Sequence, residues 1–338
     1  YEPILIDAVS ITDYPRFGWR GLMLDVSRHF FTVEEVKEYI DQMSKYKFNV
    51  FHWHLTDDEG WRVEIKAFPR LTEVGAWRVE RHGKFGSGRP YPKKNEKATY
   101  GGFYTQDEIK DVIAYAAERN VTIIPEIDVP GHSMALLAAY PELSTRKELK
   151  FVNPGSKFAN WFDDDTFEMT IENILDPSNP AVYAFLDMIF GEIADLFPAD
   201  YIHMGGDECY HGYWERSEKL QDFMKENGIN NSGELQSYFV KRVEKIISDK
   251  GKKMIGWDEI LEGGLADGAA VMSWRGMQGG IEAARSQHEV IMTPKEFVYL
   301  DYTQGDYSVE NEIYADLSLE KAYSFDPMPN PNLFVDIE

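Results

Sequence analysis

The sequence predicts an α/β fold, a TIM (β/α)8 barrel that is incomplete at its C-terminal end. Two observations predict it. Apolar strand-like runs alternate with amphipathic helical runs, which is the pattern of parallel strands covered by helices. Polar, chemically competent residues also follow seven successive strand-like runs, where a barrel gathers its active groups on one face. A doubly wound sheet would instead concentrate them at a single switch point.

The elements follow in order. Gly21–Val26 (GLMLDV) reads as a buried strand. Thr32–Tyr46 reads as a helix opened by a Thr32/Glu35 capping box. Phe48–Leu55 is the next strand, and residues 81–102 form a Gly/Pro/Lys-rich loop after it. Thr105–Arg119 is a helix with a second capping box, Thr105/Glu108. Val121–Ile127 is a strand, followed by a second long loop over 141–178. Loops of this length in a compact domain are usually functional or disordered. Pro180–Leu196 is a helix capped by Asn179. Tyr201–Met204 is a short strand and Gly233–Lys250 a helix. Lys253–Trp257, Ala270–Trp274 and Glu289–Thr293 complete seven strands, and the chain reaches Asp336-Ile337-Glu338 before a clear eighth. Residues 1–14 are expected to be the tail of a preceding domain or a linker, with the barrel over 15–338. The start at Tyr1 rather than Met reads as an excised or processed piece.

Composition excludes several classes. The 338 residues are 43% hydrophobic, enough for a large core, and 14% aromatic. Aromatic faces suit sugar rings but are equally ordinary core material. The 58 acidic against 35 basic residues give a net charge of −23, which repels nucleic acid and anionic lipid. Cys209 is the only cysteine, so neither an intrachain disulfide nor a cysteine metal site can form. No apolar run reaches the roughly 18 residues of a membrane span, and no signal peptide is visible.

The run His203-Met204-Gly205-Gly206-Asp207-Glu208 places two adjacent carboxylates after a strand and two glycines. Glycoside cleavage needs a proton donor and a group that stabilises positive charge, and these residues can supply both. Alone, the run fits a strand end that caps a helix just as well. Six more segments change that balance: RGLMLDVSRHF from Arg20, HWHLTDDEGWR from His52, PEIDVPGHS from Pro125, GWDEI from Gly256, VMSWRG from Val271 and YLD from Tyr299. Together with HMGGDE they resemble the glycoside hydrolase family 20 β-N-acetylhexosaminidases over about residues 14–305.

The resemblance implies a substrate-assisted, retaining mechanism, in which the 2-acetamido oxygen of the sugar attacks the anomeric carbon to form an oxazolinium ion. It implies Glu208 as general acid and base, with a raised pKa, and Asp207 as the group orienting the acetamido and offsetting its charge. Tyr299 would donate to the acetamido oxygen. Arg28 and Asp301 would bind sugar hydroxyls, and Trp257 and Trp274 would wall the acetamido methyl. His132 and Asp57 would form a relay tuning the acid, with Asp57 rather than Asp58 turned inward. Asp128, His54 and His203 are expected behind these groups. Blander readings stand beside each: a surface salt bridge for Arg28, core packing for the tryptophans, a structural histidine for His132. The His52/His54 spacing could suggest a metal, but alternate residues of any strand share a face; no metal and no cofactor is expected.

The expected function is release of terminal GlcNAc or GalNAc from glycans. A disaccharide-releasing, lacto-N-biosidase-like enzyme and a non-catalytic sugar-binding barrel are the alternatives. A chitinase-like endo-glycosidase would carry a D-x-x-D-x-D-x-E run, which is absent. The family's eighth strand, with a further tryptophan and glutamate, has no counterpart. Glycan is the expected partner, without nucleic acid or membrane insertion; a homodimer stays open. The expected location is secreted, periplasmic or at the cell surface.

Overall fold

The computed structural model describes residues 8–86, 88–146, 150–162, 167–306, 308–310 and 315–329. Residues 1–7 of the expected N-terminal tail and the terminal Asp336-Ile337-Glu338 lie outside them; 8–14 carry no helix or strand.

Strands β1 (Gly21–Asp25), β2 (Val50–His54), β3 (Thr122–Glu126), β4 (Tyr201–His203), β5 (Lys253–Trp257), β6 (Ala270–Ser273) and β7 (Val290–Met292) form one sheet in chain order. Every neighbouring pair is parallel. Helices α1 (Val33–Lys45), α2 (Gln106–Ala117), α3 (Pro180–Leu196), α4 (Ser232–Asp249) and α5 (Gln278–Arg285) provide the crossovers. β5 and β6 are joined through the 3-10 turn Asp258–Leu261. This is the expected incomplete barrel, with β1 and β7 as edges among the described residues.

Both predicted capping boxes form. Thr32 accepts the Glu35 amide while the Glu35 carboxylate accepts the Thr32 amide, and Thr105 and Glu108 do the same. Such caps are each worth about 1 kcal/mol. The reading lacked α5. Its first turn contains Gly279 and Gly280, poor helix formers, set in close quarters: an added Cβ would lie 2.8 Å from Asp258 Cβ at the first and 2.4 Å from Met292 Cε, the end of a flexible side chain, at the second. Close packing, not propensity, selects this helix.

The strands have two buried faces. In β2, Phe51 and Trp53 pack outward in the main core with Ile40 of α1 and Val112 of α2. Val50 points into the barrel with Ile124, Ile255, Ala270 and Met272. Above that apolar layer the barrel interior turns polar, with His52, His54, Glu126 and His203 all buried.

Beyond β2 the chain folds into a short antiparallel ribbon, Thr56–Asp57 against Gly60–Trp61. Arg62, at its end, is fully buried and has no carboxylate partner at hydrogen-bond distance among the described residues. Its guanidinium donates to the carbonyls of Val26, Ala76 and Gly102 at 3.0, 2.7 and 3.1 Å, and to Ser27 and Glu59 at 2.7 and 3.4 Å. One side chain thereby ties the loop after β1 to the loop after β2. Arg62→Met should lower the unfolding free energy by about 3 kcal/mol, because several buried carbonyls lose their donor. Urea denaturation would measure it; a loss under about 1 kcal/mol would mean that other donors replace the guanidinium.

Candidate active site

The site starts as one row of registered residues. Asp25 of β1 pairs with His54 of β2, His54 with Glu126 of β3, and Glu126 with His203 of β4. Residues in register across parallel strands point the same way, so these side chains meet inside the barrel. Glu126 is wholly buried. Its Oε1 accepts the Trp257 indole N–H at 2.9 Å, and its Oε2 lies 2.5 Å from His54 Nδ1 and 2.8 Å from His52 Nε2. Burial alone would neutralise this carboxyl, but His54, His203 and His52 hold it well below the usual carboxylate range.

Asp57 sits above that row on the ribbon. It is 1% exposed. Its Oδ2 lies 2.6 Å from Arg28 Nη1 and 2.8 Å from His54 Nε2, and its Oδ1 accepts from His132 Nδ1 at 3.0 Å. Burial opposes its charge, yet Arg28 and His132 outweigh burial and keep it ionised. Asp58 is held mainly by other groups: its two oxygens accept the Met134 amide at 2.9 Å and Asn173 Nδ2 at 3.0 Å, with Oδ2 also 3.6 Å from His132 Nδ1. Arg28 also reaches Asp25 through Nη1 and Glu59 through Nε, each at 3.1 Å. Burial alone would lower its pKa, but these carboxylates raise it.

His132 joins this group to the two adjacent carboxylates. Its Nε2 lies 3.6 Å from Asp207 Oδ2 and 3.4 Å from Glu208 Oε2. Burial works against its charge, but Asp57 and Asp207 raise its pKa well above that of a free imidazole. The loop that carries the carboxylates needs unusual backbone. Gly205 has φ 72°, and a Cβ there would lie 1.8 Å from Asp128 Oδ1. His132 and Glu208, neither a glycine, have φ 47° and 44°, at a cost of about 1–3 kcal/mol each.

The adjacent carboxyls shift oppositely. Asp207 is pushed up to about 6, first by burial, with Glu126 and Glu208 adding to it against His132. Burial alone would raise Glu208 too, but the close approach and charge of His132 prevail and lower it. This corrects the expectation of a raised Glu208: without sugar, the carboxylate sits beside an imidazolium. Asp207 Oδ1 and Asp128 Oδ2 are buried without hydrogen-bond partners among the described residues. Asp128 is raised by burial and by Asp207.

The remaining expected residues line the same face. Trp257 is buried, its ring edge-on to His203 with centroids 4.8 Å apart. Trp274 is half-buried; its indole N–H donates to Glu259 at 2.9 Å, and its ring stacks on Tyr299 with centroids 6.2 Å apart. Asp301, beyond β7, is raised by burial and by Asp25, against Arg28. Charges on the last strand's loop are thus felt at the first. The sequence reading assigned no role to Glu126, Glu59, Glu259 or Asp25. Glu59 and Glu259 are buried and pushed up to about 8, chiefly by desolvation. In the sequence Glu126 is only a lone acid in the apolar run VTIIPEI; the strand register is what sets it between two histidines.

Three groupings of His and carboxylate donors are compact enough to hold a cation: His52, Glu126 and His203; His54, Glu126 and Asp128; Asp57, Asp128 and His132. Most of these donors are engaged with one another. His54 and His132 are held protonated, which removes their lone pairs and adds repulsion to any cation.

A parallel barrel with carboxyl, imidazole and guanidinium groups gathered at its strand ends has the layout of a barrel enzyme's active face. The chain belongs to glycosyl hydrolase family 20, whose catalytic-domain model matches residues 17–333. It is 45% identical over 329 residues to a beta-hexosaminidase of Porphyromonas gingivalis, spanning 97% of this chain and 39% of that protein. It is 43% identical over 339 residues to a beta-hexosaminidase of Vibrio furnissii, spanning 97% and 51%. The crystal structure of the exo beta-N-acetylglucosaminidase from Vibrio harveyi, in complex with N-acetylglucosamine, aligns with a TM-score of 0.78 at 41% identity, covering 93% of this chain and 47% of that one. The beta-N-acetylhexosaminidase from Bacteroides fragilis aligns with a TM-score of 0.76 at 31% identity, covering 94% and 60%. The chain spans about half the length of the curated relatives it matches.

Asp57→Asn should lower the His132 pKa by at least about 1 unit, since it removes the largest charge favouring the imidazolium. Titration of the His132 ring by NMR would read it. An unchanged pKa would show that Asp207 alone sustains the charge.

Proposed function

We propose that the chain is the catalytic domain of a retaining exo-β-N-acetylhexosaminidase, acting on terminal non-reducing GlcNAc or GalNAc through an oxazolinium intermediate. One observation carries the reading. Two adjacent carboxyls contact one imidazolium, and the free oxygen of Asp207 is a buried acceptor without a partner among the described residues. An acetamido N–H is the donor such an oxygen would take.

In the reaction, Arg28 and Asp301 hold ring hydroxyls and Trp257 and Trp274 enclose the acetamido group. Tyr299 donates to the acetamido oxygen and aligns it with the anomeric carbon. That oxygen bonds to the carbon as the glycosidic C–O bond breaks. The leaving oxygen takes a proton from Glu208, while ionised Asp207 accepts the N–H and offsets the positive charge. Glu208 then deprotonates the water that opens the oxazolinium ring. The proton enters this sequence on His132, 3.4 Å from Glu208. A bound sugar desolvates Glu208 and favours its neutral form, so the imidazolium can pass its proton across.

Arg28, which would meet the ring hydroxyls, is itself braced. Glu59 holds the Arg28 Nε, and Asn153, from the long loop after β3, donates to Glu59 at 3.2 Å. No helix among the described residues is long and apolar enough to cross a membrane. A location outside the cytoplasm, where glycan polymers are met, belongs to the same proposal.

The full-length protein should hydrolyse a chromogenic β-GlcNAc glycoside. Glu208→Gln should cut kcat by about 10²–10⁴ on a glycoside with a poor leaving group and far less on an activated aryl glycoside; full activity on the former would sink the acid assignment. The pH profile has a definite sign. Asp207 works ionised, its pKa is about 6, and so kcat/KM should fall as pH drops below that value. Asp207→Asn should lower activity throughout and remove that limb; an unaltered limb would assign it to another group.

A further inference from the structure

The polar row reaches the proton path on one side and a pocket wall on the other. From Glu208 a chain of charged partners runs inward. Glu208 Oε2 is 3.4 Å from His132 Nε2, and His132 Nδ1 is 3.0 Å from Asp57 Oδ1. Asp57 Oδ2 is 2.8 Å from His54 Nε2, and His54 Nδ1 is 2.5 Å from Glu126 Oε2. The other oxygen of Glu126 accepts the indole N–H of Trp257 at 2.9 Å.

We propose that Glu126 and His54 are positioning residues for the hydrolysis: one buried carboxylate fixes both the tryptophan wall around the acetamido group and, through His54 and Asp57, the imidazole that serves Glu208. The proposal rests on the hydrolase reading above.

The chain alternates in sign from end to end, carboxylate and imidazolium in turn. His54 is held protonated against burial by Glu126 and Asp25, with hydrogen bonds to Asp57 and Glu126; Arg28 Nη1 lies 3.3 Å from its Nε2. Glu126 is faced by His52 and His54 from β2, His203 from β4 and Trp257 from β5. A barrel interior is ordinarily filled by branched apolar residues. A buried charge network is not favoured over such a layer for stability alone. Here both ends of the network are groups that face the sugar, which gives the charges a reason to be retained. Fixed spacing matters because a misplacement of about 1 Å at a reacting group can cost a hundredfold in rate.

Three variants of the full-length protein separate this role from mere packing. In His54→Asn the amide stands near the place of Nδ1, keeping Glu126 and Trp257 partnered while cutting the link to Asp57. In His54→Gln the amide reaches toward the place of Nε2 and keeps the Asp57 link. In Glu126→Gln the anchor of Trp257 loses its charge. Each is assayed on a GlcNAc disaccharide, whose leaving group needs a proton, and on a dinitrophenyl β-GlcNAc glycoside, whose leaving group does not. His54→Asn should lose about tenfold or more in kcat on the disaccharide, little on the aryl glycoside, and keep its KM. His54→Gln should lose less than His54→Asn. Glu126→Gln should add a rise in KM of about fivefold on both substrates. Equal losses on the two substrates in His54→Asn, the reverse order for His54→Gln, or an unchanged KM in Glu126→Gln would each overturn the proposal. If Glu126→Gln does not fold, the two His54 variants decide it. A wild type inactive on both substrates overturns the hydrolase reading itself, whereas an active wild type with flat variants overturns this inference alone.

Discussion

Asp57 is a carboxylate buried to 1% exposure that stays charged, and the geometry of the site depends on how that charge is met. A buried ion is tolerable only when partners surround it. Three do: Arg28 from the loop after β1, His54 from β2 and His132 from the loop after β3. Each partner has its own working end aimed elsewhere, His132 at Asp207 and Glu208, and His54 at Glu126. Arg28 spreads its guanidinium over Asp25 and Glu59 as well. One carboxylate therefore fixes the relative placement of three segments far apart in sequence.

The scaffold beneath it is correspondingly rigid. Asp57 lies on a ribbon closed by Thr56–Trp61 and Asp57–Gly60 pairing. Arg62, at the foot of that ribbon, gathers carbonyls from both adjoining loops. Arg78 adds a second layer, donating to the carbonyls of Arg28 and Glu59 at 2.6 and 2.9 Å. Because backbone carbonyls leave these guanidiniums uncompensated, both lose some basicity to burial. The backbone of the active loops is thus held by cations, and the side chains above it by ion pairs.

Much of this was legible in the sequence. Seven strands and the polar residues after them follow from periodicity and turn chemistry, and both capping boxes could be read from four letters each. Their position at strand ends marked the motif residues as a set, and the resemblance to glycoside hydrolase family 20 gave each its expected role. What the sequence concealed depends on pairing across strands. α5 has two glycines in its first turn, justified only by what they touch, Asp258 and Met292. Glu126 looks like one acid in an apolar strand until the register sets it between His54 and His203. Glu59 and Glu259 stand beside conspicuous neighbours, Asp57-Asp58 and Trp257-Asp258, and their burial is a property of the fold. The direction of the Glu208 shift was concealed for a similar reason, since it turns on a 3.4 Å approach to an imidazolium.

The opposite shifts of Asp207 and Glu208 bear on how the proposed reaction starts. Burial is the first cause for both, and it raises both. They diverge because the His132 imidazole, 3.4 Å from Glu208, outweighs burial there, whereas at Asp207 nearby carboxylates work against it. In the unliganded site the proton therefore rests on His132, Glu208 is ionised, and Asp207 loses its charge as pH falls through about 6. The reaction requires Glu208 protonated and Asp207 charged. An acetamido N–H meeting Asp207 Oδ1 favours the charged form of that residue, and a sugar covering Glu208 favours its neutral form. Both changes come from the substrate. A ligand without the acetamido group would supply the burial without the N–H, and burial alone pushes the Asp207 carboxyl further up, toward its neutral form. On this account selectivity for N-acetylated sugars is already present in the protonation states, before the acetamido oxygen attacks.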